Sequence, residues 1–210
     1  MLNKEYDILK PFAERPWEKL TFKQVKKASK KKSVSFVFKS LKKSVKEGIL
    51  VEEKIANIIL YSVDFKSGKA LSSLGYILEH IGWSKKHIPY DDMQAAIDKI
   101  PFKSHITLIT GSYAKGTQRQ DSDIDVVVII EDPCDPKRVY AELNLHAELS
   151  MPKIHLYVFR NSEFLLMLNN DKANYGKEIV KNCLILTQGQ AYLKLIGEAI
   201  KHGFDDKRLS

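Results

Sequence analysis

Between residues 34 and 45 the apolar positions Val34, Val37, Phe38, Leu41 and Val45 fall at offsets 0, 3, 4, 7 and 11. A helix with 3.6 residues per turn gathers such positions on one stripe, so the pattern predicts a core-facing helix, stopped at Gly48. Upstream, Tyr6 to Glu14 reads as a short amphipathic helix ended at Arg15-Pro16. Thr21 is placed to cap a second helix over Phe22 to Ser29, and Lys30 to Ser33 form the turn that follows. Downstream, Ile49 to Glu53 and Ile58 to Phe65 are β-rich runs separated by Lys54 to Asn57, the pattern of a hairpin.

The rest of the chain alternates. Leu71 to Trp83 predicts a helix, and Ser84 to Tyr90 a polar connector. Asp91 and Asp92 open a helix with Met93, Ala96, Ile97 and Ile100 on its apolar face, ended by Pro101. Strands follow at Ile106 to Thr110, Ile124 to Ile130 and Ile154 to Phe159, with a helix over Pro136 to Leu149 between the last two. Ser162 is placed to cap Glu163 to Asn169. Tyr175 to Asn182 is helical, Cys183 to Leu186 is a short apolar run, and Ala191 to His202 closes as an amphipathic helix. Helices and strands in this order give an α/β (α+β) class and two domains, residues 1–85 and 90–210.

Three helices followed by two strands is the order of a winged helix-turn-helix. Charge sharpens that reading: residues 1–70 carry 17 Lys and Arg against 8 Asp and Glu, while the remaining 140 carry 17 against 18. Lys39, Lys42, Lys43 and Lys46 lie opposite the apolar stripe, with Lys30 to Lys32 in the preceding turn. In such modules this helix enters the major groove, and its lysines neutralise phosphates. The expected partner is DNA or RNA; a solvated basic face or a protein contact, with Phe36 at an interface, remains the alternative.

No run approaches the roughly 18 to 20 apolar residues a membrane span requires, and the first seven residues have no apolar targeting core. Cys134 and Cys183 match neither a disulfide framework nor a metal-ligand spacing. The expectation is a cytoplasmic protein without membrane contact.

Chemistry concentrates in Thr110-Gly111-Ser112-Tyr113-Ala114-Lys115-Gly116-Thr117 and in Asp121-Ser122-Asp123-Ile124-Asp125-Val126. A strand entering Gly-Ser and a short helix offers backbone N–H groups and a hydroxyl to a phosphate. Two residues apart on the next extended segment, Asp123 and Asp125 project from the same side and suit hard divalent cations. Two carboxylates at the start of an otherwise apolar strand are costly without a cation or other partner.

These residues resemble the nucleotidyltransferase superfamily related to DNA polymerase beta, and more closely its minimal nucleotidyltransferase branch. Its usual run is Gly-Ser-x-Ala-Arg-Gly followed by Ser-Asp-Ile-Asp; this chain differs only in Lys115 where Arg is usual. The resemblance is specific over Ile106 to Ile130. It implies a polymerase-beta-like domain with a small mixed sheet flanked by helices. It further implies that Gly111 and Ser112 hold the β- and γ-phosphates of ATP or another nucleoside triphosphate. Asp123 and Asp125 would bind Mg²⁺ or Mn²⁺ as the catalytic pair, with Lys115 a further candidate at the triphosphate.

The reaction so implied is transfer of a nucleoside monophosphate, AMP from ATP, to a hydroxyl with release of pyrophosphate. The family usually carries a third carboxylate on the next strand, and Ile154 to Phe159 contains none. His155 is the candidate for that position, with Glu131 and Asp132 as alternatives. Two further readings stay open: a winged-helix regulator whose transferase-like domain senses nucleotide, and an antitoxin-like adenylyltransferase acting on a partner protein. RNA tailing also fits the signature. Tyr175-Gly176-Lys177-Glu178 and Gly189-Gln190-Ala191-Tyr192 recur in proteins resembling this branch and read here as packing.

Overall fold

A computed structural model describes residues 5–100 and 105–209. The chain forms two compact units, one from residues 1–78 with 189–206 and the other from residues 79–188 with 207–210. Among the described residues no helix is long and apolar enough to cross a membrane.

In the first unit, α1 (Tyr6–Glu14) buries Ile8, Leu9, Phe12 and Ala13, positions that share one side of a helix. After β1 (Leu20–Thr21), α2 (Phe22–Ala28) starts with the expected cap. The Thr21 hydroxyl accepts from the Gln24 N–H at 3.3 Å, and the Gln24 side chain accepts from the Thr21 N–H at 2.8 Å. The Ser33 hydroxyl caps α3 (Val34–Lys46) by accepting from the Phe36 N–H at 3.2 Å, and Gly48 ends it in the left-handed region with φ +68°. The strands β2 (Leu50–Ile55) and β3 (Ile58–Val63) close through Ala56-Asn57, a loop two residues shorter than the pattern suggested. The sheet order is β1-β3-β2, all antiparallel.

The stripe expected on α3 is corrected. Val34 and Phe38 are exposed, and the buried line is Val37, Ser40, Leu41 and Ser44. Both lines contain Val37 and Leu41, so periodicity alone cannot choose between them. The small serines bury without an orphaned hydroxyl at Ser44, which donates back to the Ser40 carbonyl at 2.9 Å. Phe36, expected on the outer side, is half-buried.

The helix α4 (Gly68–Gly82) contains the division between the units, which falls at Leu78/Glu79. In the second unit α5 (Tyr90–Ile97) buries Met93 and Ile97; the stop assigned to Pro101 lies outside the described residues. There follow β4 (His105–Thr110), α6 (Gly111–Lys115), β5 (Ile124–Ile130), α7 (Pro136–Leu149), β6 (Ile154–Arg160), α8 (Asn161–Asn169), α9 (Tyr175–Lys181) and β7 (Leu184–Thr187). The sheet order is β6-β5-β4-β7, with β5 and β6 parallel and the other pairs antiparallel. This is the small mixed sheet flanked by helices that the sequence led us to expect. Every residue of β5 except Asp125 is buried, as its apolar run and its place between β6 and β4 lead one to expect.

The start of α8 departs from expectation. Ser162 does not cap it; the helix begins at Asn161, where Glu163 accepts from the Arg160 N–H at 2.7 Å and Asp132 accepts from the Ser162 N–H at 3.0 Å. One of these partners lies thirty residues upstream in sequence, beyond the reach of a local capping rule.

The last helix, α10 (Gly189–Lys201), groups with the first unit, whereas the division at 85–90 had placed it with the second. A Cβ at Gly75 would approach the Gln190 nitrogen to 2.5 Å, one at Gly197 would meet the Phe65 ring at 2.8 Å, and Phe204 beyond the helix packs edge-on against Trp17 at 5.7 Å. An amphipathic stripe declares that a helix is buried, not against which element.

Candidate active site

The site is assembled where β4 ends and β5 begins. Their antiparallel register sets Thr110 opposite Asp125, so the residue after Thr110 must pass directly over that carboxylate. That residue is Gly111, with φ +68°, and a Cβ there would collide with Asp125 Oδ2. Glycine is required twice over, by its left-handed backbone and by the close approach. From Gly111 the chain turns through the five residues of α6 to Gly116, again left-handed at φ +69°, and the Thr117 N–H returns to the Ser112 carbonyl at 3.0 Å.

Two contacts from outside the motif fix this turn. His87 Nε2 lies 2.9 Å from the Tyr113 carbonyl, which can only accept, so that nitrogen carries a proton. The Thr110 hydroxyl donates to the Asn182 carbonyl at the end of α9, at 3.0 Å. The Ser112 hydroxyl makes no hydrogen bond among the described residues.

Asp123 is exposed immediately before β5, and Asp125 is half-buried inside it. Burial pushes the Asp125 carboxyl above the usual carboxylate range; His155 opposes the shift and the Asp123 charge adds to it. Burial also raises the Tyr113 phenol, with Asp123 contributing. The two acids are thus close enough to feel one another.

His155 lies beside Asp125 in the parallel register of β5 and β6, with Nδ1 3.5 Å from Asp125 Oδ1. Its side chain is 58% exposed against 27% for Asp125. The Tyr157 hydroxyl sits 3.2 Å from the same Nδ1. Rings continue along this side of β6: His155 to Tyr157 at 4.6 Å, Tyr157 to Tyr175 at 4.6 Å and Phe159 to Tyr175 at 6.4 Å. Burial first, then Tyr157, drives the Tyr175 phenol far above its ordinary range. The segment from Tyr175 to Glu178, read from sequence as packing, therefore flanks the site; its Lys177 is only 2% exposed. Its recurrence in proteins resembling the branch is the available signal, but its apolar spacing reads as packing because the contact with Tyr157 is made only in the tertiary structure.

Glu131 and Asp132 do not join the group. They follow Ile130, at the opposite end of β5 from Asp125, and Asp132 is engaged by the Ser162 N–H. Lys115 is exposed at the last position of α6. Among the described residues no group of three or more His, Cys, Asp or Glu side chains is arranged to hold a metal ion.

The lysines of α3 belong to the first unit and do not form a free row. Lys42 pairs with Glu52 at 2.7 Å and lies over the Phe38 ring, while Lys43 pairs with Glu5 at 2.9 Å and approaches Glu47 at 4.0 Å. Lys39 and Lys46 have no ion pair among the described residues.

Residues 102–190 match the family described as polymerase beta, nucleotidyltransferase. No curated protein and no solved structure matches the chain.

Proposed function

We propose that the second unit, built around this polymerase beta nucleotidyltransferase segment, transfers a nucleoside monophosphate from a nucleoside triphosphate, AMP from ATP, to a hydroxyl. The family match supports nucleotidyl transfer in general. The observation that carries the finer reading is the forced proximity of Gly111 and Asp125, which brings a phosphate-accepting turn and a carboxylate pair to one spot.

The residues fit a hard divalent cation. Asp123 and Asp125 supply oxygen donors, and burial first, then the Asp123 charge, raises the Asp125 carboxyl against the opposing effect of His155. Mg²⁺ is commonly held by one or two carboxylates with substrate oxygens and water completing its shell, which suits a pair rather than a protein cage. When bound it would offset charge on the phosphates and the leaving pyrophosphate. Gly111 lets the backbone come close to the triphosphate, the uncommitted Ser112 hydroxyl donates to a phosphate oxygen, and Lys115, exposed at the end of α6, is the further candidate partner of the triphosphate. His155, against Asp125, orients the acceptor hydroxyl.

Incubation with α-labelled ATP, Mg²⁺ and cell extract tests the reading. Label should enter protein, RNA or a small molecule, and Asp125→Asn should reduce incorporation about a hundredfold or more, equivalent to about 2.7 kcal/mol of barrier. Unchanged labelling by a folded Asp125→Asn protein removes the carboxylates from the mechanism. A second reading, a DNA-binding regulator that senses nucleotide, is favoured by the imidazole that faces Asp125 where a further carboxylate would complete a metal site. In that case nucleotide binds and pyrophosphate is never released. For the first unit we propose nucleic-acid contact through a winged helix-turn-helix, supported by its basic excess and by the uncommitted Lys39 and Lys46.

A further inference from the structure

The three-stranded sheet of the first unit ends on β2, whose outer side pairs with no strand among the described residues. This edge carries Leu50-Val51-Glu52-Glu53-Lys54-Ile55, and every residue after Leu50 is exposed. An unpaired row of backbone donors and acceptors is a template for another strand unless its side chains forbid it. Here the side chains select one particular strand.

The hydrogen-bonding parity of β2 follows from its turn. In a hairpin closed by two residues the flanking pair, Ile55 and Ile58, exchanges both N–H···O bonds. Ile55, Glu53 and Val51 therefore direct their backbone groups toward β3, while Lys54, Glu52 and Leu50 direct theirs outward. An antiparallel partner must bond to residues of this outward set.

A second copy of β2, related by a two-fold axis through Glu53, meets that requirement. Glu52 then stands opposite the partner's Lys54, both with outward backbone groups, so that each such pair closes two hydrogen bonds and an opposite-charge contact. Val51 stands opposite the partner's Ile55 on the outer face, where these residues are 42% and 52% exposed and Ile58, 55% exposed, extends the apolar strip. Glu53 meets its own copy, and its charge is already offset by Lys19 at 2.6 Å. Centring the axis one residue earlier sets Glu52 against itself and Val51 against Glu53; centring it one residue later sets Lys54 against itself and Glu53 against Ile55. Only the Glu53 register places unlike charges and apolar side chains opposite one another.

We propose that the protein is a two-fold homodimer joined through β2, its two three-stranded sheets fused into one of six strands. The proposal is independent of the transferase reading. Glu52 retains Lys42 on its own chain, so across the interface one carboxylate lies between two ammonium groups. Lys54 has no ion pair among the described residues, so its replacement disturbs nothing within the unit.

Light scattering coupled to size-exclusion chromatography of the full chain should give twice the 24.0 kDa chain mass at micromolar concentrations. Lys54→Glu and Glu52→Lys should each weaken self-association about tenfold or more, because each sets like charges opposite one another in both symmetric pairs. An equimolar mixture of the two variants restores every unlike pair and should recover the dimer as a heterodimer. Glu53→Cys, with Cys134→Ser and Cys183→Ala, should form an intermolecular disulfide on mild oxidation, since facing residues of a non-hydrogen-bonded antiparallel pair have Cα atoms about 4.5 Å apart, within a disulfide's reach. A monomeric wild type overturns the proposal. So does a dimer that is indifferent to Lys54→Glu, or a variant mixture that fails to associate while both variants retain the wild-type circular dichroism.

Discussion

Asp125 and His155 occupy matched positions on two parallel strands, carboxylate oxygen and imidazole nitrogen 3.5 Å apart. The pair defines the least regular feature of the site, an imidazole beside the half-buried acid. His155→Asp would place three carboxylates there. Their mutual repulsion should lower the melting temperature in EDTA, and Mg²⁺ should then raise it by more than it raises the wild type, because binding to the folded state stabilises in proportion to affinity. Equal Mg²⁺-induced shifts in the two proteins would show that this position does not face the cation.

Gly111→Ala should cost about 1–2 kcal/mol through its left-handed backbone alone, and more through the collision with Asp125 Oδ2. Asp125→Ala removes the colliding atoms. Denaturant unfolding of the two single variants and the double should therefore reveal a coupling of about 0.5–3 kcal/mol. Strict additivity would mean that the turn and the acid are not packed together.

The pH dependence of the second unit has one assignable contribution away from the site. Hydrogen bonds from Ser162 hold the Asp132 carboxyl below the usual carboxylate range. A folded-state value below the unfolded one gives stability that is present above about 3.9, the ordinary value, and lost as pH falls through the depressed one. Asp132→Asn should lower the melting temperature at neutral pH, and the gap should close in strong acid. Asp132 is exposed, so solvent screening should keep the effect below about 1 kcal/mol. A gap that is constant with pH would assign the effect to lost packing instead.

If the first unit grips nucleic acid, its lysines should not contribute alike. Lys39→Ala and Lys46→Ala should each reduce the slope of log affinity against log salt by about 0.9 for duplex DNA. Lys42→Ala and Lys43→Ala should reduce it less, since Glu52 and Glu5 already compensate those charges. Fluorescence anisotropy over a salt series measures the four slopes; a salt-independent affinity would exclude phosphate contact by this face.

Much of this molecule is legible one segment at a time. The bounds of β5 and α7, the Thr21 cap, the stop at Gly48 and the Gly-Ser and Asp-x-Asp runs all follow from residues within a few positions of one another. Those features depend on backbone sterics, local hydrogen bonds and side-chain period, which act at short range and are written directly in the order of residues. Tertiary packing decided the rest. It turned α3 to bury Ser40 and Ser44 rather than Val34 and Phe38, grouped α10 with the N-terminal unit, drew Asp132 to the start of α8 and carried Glu131 and Asp132 away from the acids at the other end of β5. It also set His155 against Asp125 and brought Tyr175 to Tyr157. Each of these depends on strand register and on which apolar surface finds which partner, and a linear pattern specifies that a face is buried without naming what buries it.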